Sequence, residues 1–146
     1  MKKTVRILCA ILVLSIIMVV PAQAVSVPES RGSAFFAAYG TDLYKLSSTS
    51  FEIWFDVDAN ATIMYELGAS LIEVYQSSDQ QNWTKVKTFE KADYSQMTDT
   101  NTWSHVDYVI YDEAVSGYYY TALITFYARN GSGFAEREVY TEVIRM

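Results

Sequence analysis

Apolar and polar residues alternate with a period of two along most of this chain. Phe51, Ile53, Phe55 and Val57 interleave with Glu52, Trp54, Asp56 and Asp58, the pattern of a strand with one buried face. Residues 71–76 and 83–89 read as two more strands, joined by the polar segment Ser77-Ser78-Asp79-Gln80-Gln81-Asn82. Val106, Tyr108 and Ile110 alternate with His105, Asp107 and Val109. Tyr118, Tyr120, Ala122, Ile124, Phe126 and Ala128 form the longest apolar face. Asn130-Gly131-Ser132-Gly133 is a strong hairpin signal, and residues 134–144 return as a last strand. Residues 34–46 read as an opening strand interrupted by Gly40 and Asp42, 61–67 as a short strand ending at Gly68, and 91–102 as a polar loop. About seven strands with frequent turn signals and no amphipathic helix predict an all-β fold, an immunoglobulin-like antiparallel β-sandwich.

The N-terminal hydrophobic pattern is of another kind. Lys2 and Lys3 precede an apolar run from Ile7 to Val20 broken only by Ser15, and Pro21-Ala22-Gln23-Ala24 closes it with small residues. This is the form of a helical, cleavable signal peptide over residues 1–24. The run has 14 residues before Pro21, short of the roughly 20 that span a bilayer. Cys9 lies inside the front of the apolar run, not after it as a lipid-modified cysteine would, and serves as one more apolar leader residue. The expected organisation is a signal peptide at 1–24, a flexible lead-in at 25–33 carrying Pro28 and Gly32, and a single sandwich domain at 34–146. The expected location is outside the cell, with no membrane attachment after the leader is removed.

Composition sharpens this. Cys9 is the sole cysteine, so the exported chain of 122 residues has none. Thiolate metal sites, cysteine nucleophiles and disulfides are excluded, and stability must come from burial. The leader takes three of the 11 basic residues and none of the 17 acids, leaving a net charge of −9. Such a chain is repelled by nucleic acid and by anionic membranes. All 22 aromatic residues lie beyond the leader, about 18 % of what remains.

Two stretches carry a resemblance. Residues 72–86, from Ile72-Glu73-Val74-Tyr75 through the Ser-Asp turn to Trp83-Thr84-Lys85-Val86, are similar to the C to C′ hairpin of fibronectin type III modules. Gly117-Tyr118-Tyr119-Tyr120-Thr121-Ala122 through Asn130-Gly131-Ser132-Gly133 resembles their F strand and F–G turn. With the leader, the chain resembles a family of small secreted bacterial proteins, mainly from Firmicutes, over residues 31–146. That resemblance implies the sandwich fold and supplies no catalytic residues. At one point the chain departs from the pattern: Gln80 stands where glycine would ease the turn after Asp79, and a positive φ there costs a non-glycine residue about 1 kcal/mol.

Candidate chemistry is sparse. Asp56-Val57-Asp58-Ala59-Asn60 begins like a calcium loop, but Ala61 and Leu67 occupy the positions where an EF-hand needs Gly and Glu. A looser site with Glu66, or with Asp112 and Glu113, stands against a polar turn closing the strand. His105 is the only histidine and no nucleophile elbow exists, which favours an exposed strand residue over a catalytic one. Asn60-Ala61-Thr62, Asn82-Trp83-Thr84 and Asn130-Gly131-Ser132 match the glycosylation sequon, and in a bacterial chain they read as turns. No cofactor motif is present and none is expected.

The aromatic residues are the better lead. Tyr118, Tyr120 and Phe126 suit the core, with Tyr118 or Tyr120 as a tyrosine corner. Period two then sends Tyr119, Leu123 and Tyr127 to the opposite face. Ile72 and Val74 pointing in would turn Glu73 and Tyr75 out. With these two strands adjacent, Tyr75, Tyr119, Leu123 and Tyr127 share one outer face: either a recognition surface for glycan or protein, or ordinary cross-strand pairing on a half-wet sheet. Trp54 points outward on the other sheet unless the opening segment covers it. The expected role is a secreted, non-catalytic binding module. Its rivals are a structural or envelope-associated protein without a discrete ligand, and a small hydrolase using His105 and carboxylates.

Overall fold

The computed structural model describes residues 34–146. Over this range the chain is an antiparallel β-sandwich of two sheets. Its strands are β1 (Phe36–Lys45), β2 (Phe51–Ala59), β3 (Glu66–Ser77), β4 (Thr84–Glu90), β5 (Thr98–Asp99), β6 (Ser104–Tyr111), β7 (Tyr119–Asn130), β8 (Gly133–Tyr140) and β9 (Ile144–Arg145). One sheet has the order β1-β2-β6; the other has β4-β3-β7-β8, with the two-residue strands β5 and β9 added to β3 and β7. The expected leader and lead-in lie outside the described residues.

The core follows the alternation. Phe51, Ile53, Phe55 and Val57 of β2 face Ile72 and Val74 of β3 and Tyr120, Ala122, Ile124 and Phe126 of β7, all essentially inaccessible to solvent. Tyr39 of β1 stacks on Phe126 across the layers, at 5.4 Å between ring centroids. Tyr120, not Tyr118, is the tyrosine corner: its buried hydroxyl accepts a hydrogen bond from the Val115 backbone N–H at 2.8 Å. Tyr118 lies one residue before β7 and is exposed, which corrects its assignment to the core.

Several boundaries differ from the expectation, each for a physical reason. β1 runs unbroken through Gly40, where the absent side chain leaves room for the Asp56 carboxylate. β3 does not stop at Gly68. It passes through that residue at φ 152°, because β5 crosses so closely that a methyl group there would strike the Met97 carbonyl. Residues 61–65 form no strand of their own. The polar stretch 91–102 contains a short 3₁₀ turn (Ser95–Met97), whose Met97 is fully buried, and β5. Gln80 does adopt a positive φ, 60°. Asp79 holds the turn in place, its carboxylate accepting from the Gln81 and Asn82 backbone N–H groups, the Asn82 side chain and the Ser77 hydroxyl. Those four donors pull the Asp79 carboxyl far below the usual carboxylate range, the Asn82 backbone N–H first among them.

The last strand is broken. β8 ends at Tyr140, Thr141 stays bonded to Ala122 while Glu142 and Val143 turn outward, and β9 rejoins the start of β7, Tyr119 opposite Arg145 and Tyr120 opposite Ile144. This detour builds the site described next.

Candidate functional site

The outer face of the larger sheet is set by what its strands bury. With Ile72 and Val74 inward, Glu73 and Tyr75 of β3 point out. Opposite them on β7 stand Leu123 and Thr121, and opposite Leu123 on β8 stands Tyr140. On the β4 side the pairing slips: Val74 faces Lys87 and Tyr75 faces Lys85, leaving Val86 as an extra residue. Such a bulge bends a strand and re-aims its neighbours, and it brings Trp83, just before β4, alongside Tyr75.

On the far side, the break after Tyr140 is held by threonines. The Thr141 N–H donates to the Ala122 carbonyl at 2.9 Å, and the Thr141 hydroxyl accepts from the Ala122 N–H at 2.9 Å. The Thr121 hydroxyl donates to the Thr141 carbonyl at 3.1 Å. Both threonines are buried, so their hydroxyls serve the backbone and Glu142 and Val143 are thrown outward. The result is a groove of about 590 Å³ lined by Tyr75, Trp83, Thr121, Tyr140, Glu142 and Val143. Its walls are aromatic and aliphatic. The Tyr75 and Tyr140 rings approach to 6.3 Å at 53°, and Tyr140 and Val143 are about half exposed.

A charged pair anchors the Tyr75 wall from behind. The Tyr75 hydroxyl donates to Glu73 Oε2 at 2.9 Å, and Lys85 Nζ donates to Glu73 Oε1 at 2.7 Å. Lys85 and then Tyr75 hold the Glu73 carboxyl below its ordinary range. Burial, with the hydrogen bond to Glu73, pushes the Tyr75 hydroxyl up to about 12. Tyr75 therefore remains a neutral donor, fixed in place, through the physiological range. The Lys85 side chain is half exposed, and an ammonium with three donors that gives one to Glu73 retains others for an incoming acceptor.

The four residues singled out in the sequence do share this outer face, each half-buried. They do not form one patch. Only Tyr75 lines the groove, with Leu123 beside it. Tyr119 lies under the Arg145 guanidinium, 5.4 Å from its ring. Tyr127 is six positions along β7 from Thr121, about 20 Å at strand spacing. There its ring is capped by Lys91 Nζ at 3.9 Å and stacked on Phe134 at 6.0 Å, while Lys91 and Arg129 both reach Glu66. Trp83, Tyr140 and Val143 escaped the sequence reading. The available signal was the polar pair Thr141-Glu142 interrupting an otherwise strand-like run.

The other candidates resolve differently. His105 is not an exposed strand residue: it is half-buried on the inward side of β6, its Nε2 2.9 Å from the Gln96 carbonyl and its ring 5.9 Å from that of Phe55. Asp56 and Asp58 lie within β2 rather than in a turn after it. Among the described residues no three metal-ligating side chains gather into a cluster. Trp54 points outward, between Asp42 and Tyr108. No family model matches the chain, and no curated protein is detectably similar to it. The groove's chemistry is therefore the guide to function.

Proposed function

We propose that this protein is a secreted, non-catalytic binding module that holds its ligand in the groove between Trp83, Tyr75, Tyr140 and Val143. The observation that carries the reading is the groove itself: aromatic walls on a sheet, with the Glu142 carboxylate in the lining and the Glu73–Lys85 pair holding the Tyr75 hydroxyl. Aromatic side chains of this kind bury large flat areas at low entropic cost, and rigid strands hold them ready before the ligand arrives. A sugar ring fits the chemistry well, its apolar face against Trp83 or Tyr140 and its hydroxyls toward Lys85, Glu73 and Glu142. A cell-surface glycan is the first ligand class this assigns.

Secretion rests on the leader pattern of residues 1–24. A fibronectin type III-like build is supported by two hairpins, β3–β4 and β7–β8, lying side by side through the β3–β7 pair, as the resemblance implies. A second reading has its own observation behind it. The Thr121 and Thr141 hydroxyls are committed to backbone partners, which leaves the Tyr140–Val143 wall apolar and suited to an aromatic or aliphatic anchor from a protein.

The test is retention of the purified protein on insoluble bacterial cell wall, mucin and polysaccharides, with elution by soluble sugars. Retention on one of these and competitive elution support the glycan reading. Absence of retention on every matrix rejects it. A groove that binds neither glycans nor proteins presented from the same cell surface would leave the structural, ligand-free role.

A further inference from the structure

The outer face of the smaller sheet also carries apolar side chains, and here they are gathered with carboxylates. Register places four rows across it: Tyr44–Glu52–Ile110, Asp42–Trp54–Tyr108, Gly40–Asp56–Val106 and Ala38–Asp58–Ser104. On β6 the apolar set points to solvent. Val106 is 55 % exposed, Ile110 46 % and Tyr108 45 %, with Tyr44 at 49 % beside them. Trp54 lies in the middle of these side chains. Scattered surface hydrophobics need no explanation, but five neighbouring ones on one sheet face mark an interaction site.

The same face carries four carboxylates, Asp42, Glu52, Asp56 and Asp58, and not one Lys or Arg among its twelve positions. Asp56 lies across Gly40; its partial burial, and Asp58 after it, raise its carboxyl above the usual range. On the larger sheet, by contrast, Glu73 has Lys85 as a partner and Glu66 has Lys91 and Arg129. Here exposed apolar surface and uncompensated negative charge are interleaved. One kind of occupant relieves both: a segment whose apolar side chains cover Trp54, Tyr108 and Ile110 while its cations meet the carboxylates. A second copy of the chain does not qualify, because it would set eight carboxylates face to face with no cation between them.

We propose that the outer face of β1, β2 and β6 docks a basic protein segment in which Lys or Arg alternates with apolar residues. The face lies on the opposite sheet from the groove, so the inference does not rest on the glycan reading, and both surfaces can be occupied together.

The probe is a synthetic peptide of about ten residues, the length of one strand, alternating Lys with Ile and Tyr. It is titrated into the purified protein and followed by residue-resolved NMR. The expected result is saturable movement of the Trp54 indole and of β2 and β6 amides, with the Trp83 indole unmoved. Binding weakens as salt rises from about 0.05 to 0.5 M. A variant with Asp42→Asn, Glu52→Gln, Asp56→Asn and Asp58→Asn, nearly isosteric, binds about tenfold or more weakly. Tyr108→Ser, a single exposed change, weakens binding independently of salt. The proposal is overturned if the peptide shifts no residue of this face, if the neutral variant binds equally well, or if a peptide with Glu in place of Lys binds as tightly. It is also overturned if the same amides shift with protein concentration alone, which would make a second copy the occupant.

Discussion

Removing one oxygen atom, by Tyr120→Phe, tests how the long strand under the groove is anchored. The Tyr120 ring is wholly buried, 5.2 Å from Phe51 and 5.9 Å from Tyr111, and phenylalanine keeps that packing. What is lost is the acceptor for the Val115 N–H. A neutral hydrogen bond is worth about 0.5–1.5 kcal/mol net, and an orphaned buried donor costs about 1–3. Val115 itself is half exposed, so water reaches part of the gap, and the expected loss is about 1.2 kcal/mol. With about 2.1 cal/mol/K of unfolding entropy per residue over the 113 described residues, this lowers Tm by about 5 °C. Urea and thermal unfolding followed by circular dichroism measure it. The m value stays unchanged, since the surface exposed on unfolding is the same. Tyr120→Ala, which also opens a cavity, costs about 3–5 kcal/mol. A Tyr120→Phe protein as stable as the parent, or as unstable as Tyr120→Ala, refutes the corner as an anchor.

Three further outcomes are expected. Because Lys85 and Tyr75 hold the Glu73 carboxyl low, Glu73 stabilises the fold above the ordinary glutamate pKa, and that contribution fades as pH falls through its folded value. Lys85→Met moves the Glu73 carboxyl carbon titration upward in an NMR pH series. Asp56 has the opposite sign: burial raises its pKa, so its destabilising effect grows as pH rises through its ordinary range and is complete above its folded value. Asp56→Asn therefore raises Tm at pH 7 and leaves it unchanged near pH 3, as paired melts will register. Gly68→Ala forces a methyl group against the Met97 carbonyl at a backbone angle that side chains avoid. It lowers stability by about 2–3 kcal/mol in urea titrations and loosens the 3₁₀ turn and β5.

Much of the sandwich was legible because its central strands alternate cleanly. β2 and β7 put apolar residues at every second position, and the Asn130–Gly133 turn fixed where β7 doubles back. The orientation of β6 was not legible. Both of its sides carry apolar residues, and register decides: Tyr111 opposite Phe51 and Val109 opposite Ile53 turn inward over the β2 core side chains. That choice sends Val106, Tyr108 and Ile110 to solvent. The groove was hidden for a related reason. Tyr75 and its outward direction follow from period two, but Tyr140 and Val143 meet it only because buried threonines break the last strand. Trp83 arrives through a one-residue slip in the β3–β4 pairing. Alternation reports which side of a strand a residue occupies; bulges and breaks decide which of those residues meet.

Two double variants separate binding by the groove from binding by the whole tyrosine face. Trp83→Ala with Tyr140→Ala removes two aromatic walls of the groove, neither of them a core residue. Tyr119→Ala with Tyr127→Ala alters the same outer face away from the groove. Both folded variants and the parent protein are compared for retention on cell wall, mucin and polysaccharide. If the groove is the site, the first variant loses retention and the second keeps it. Equal retention by the first variant and the parent, or loss confined to the second, would show that the groove is not the binding site.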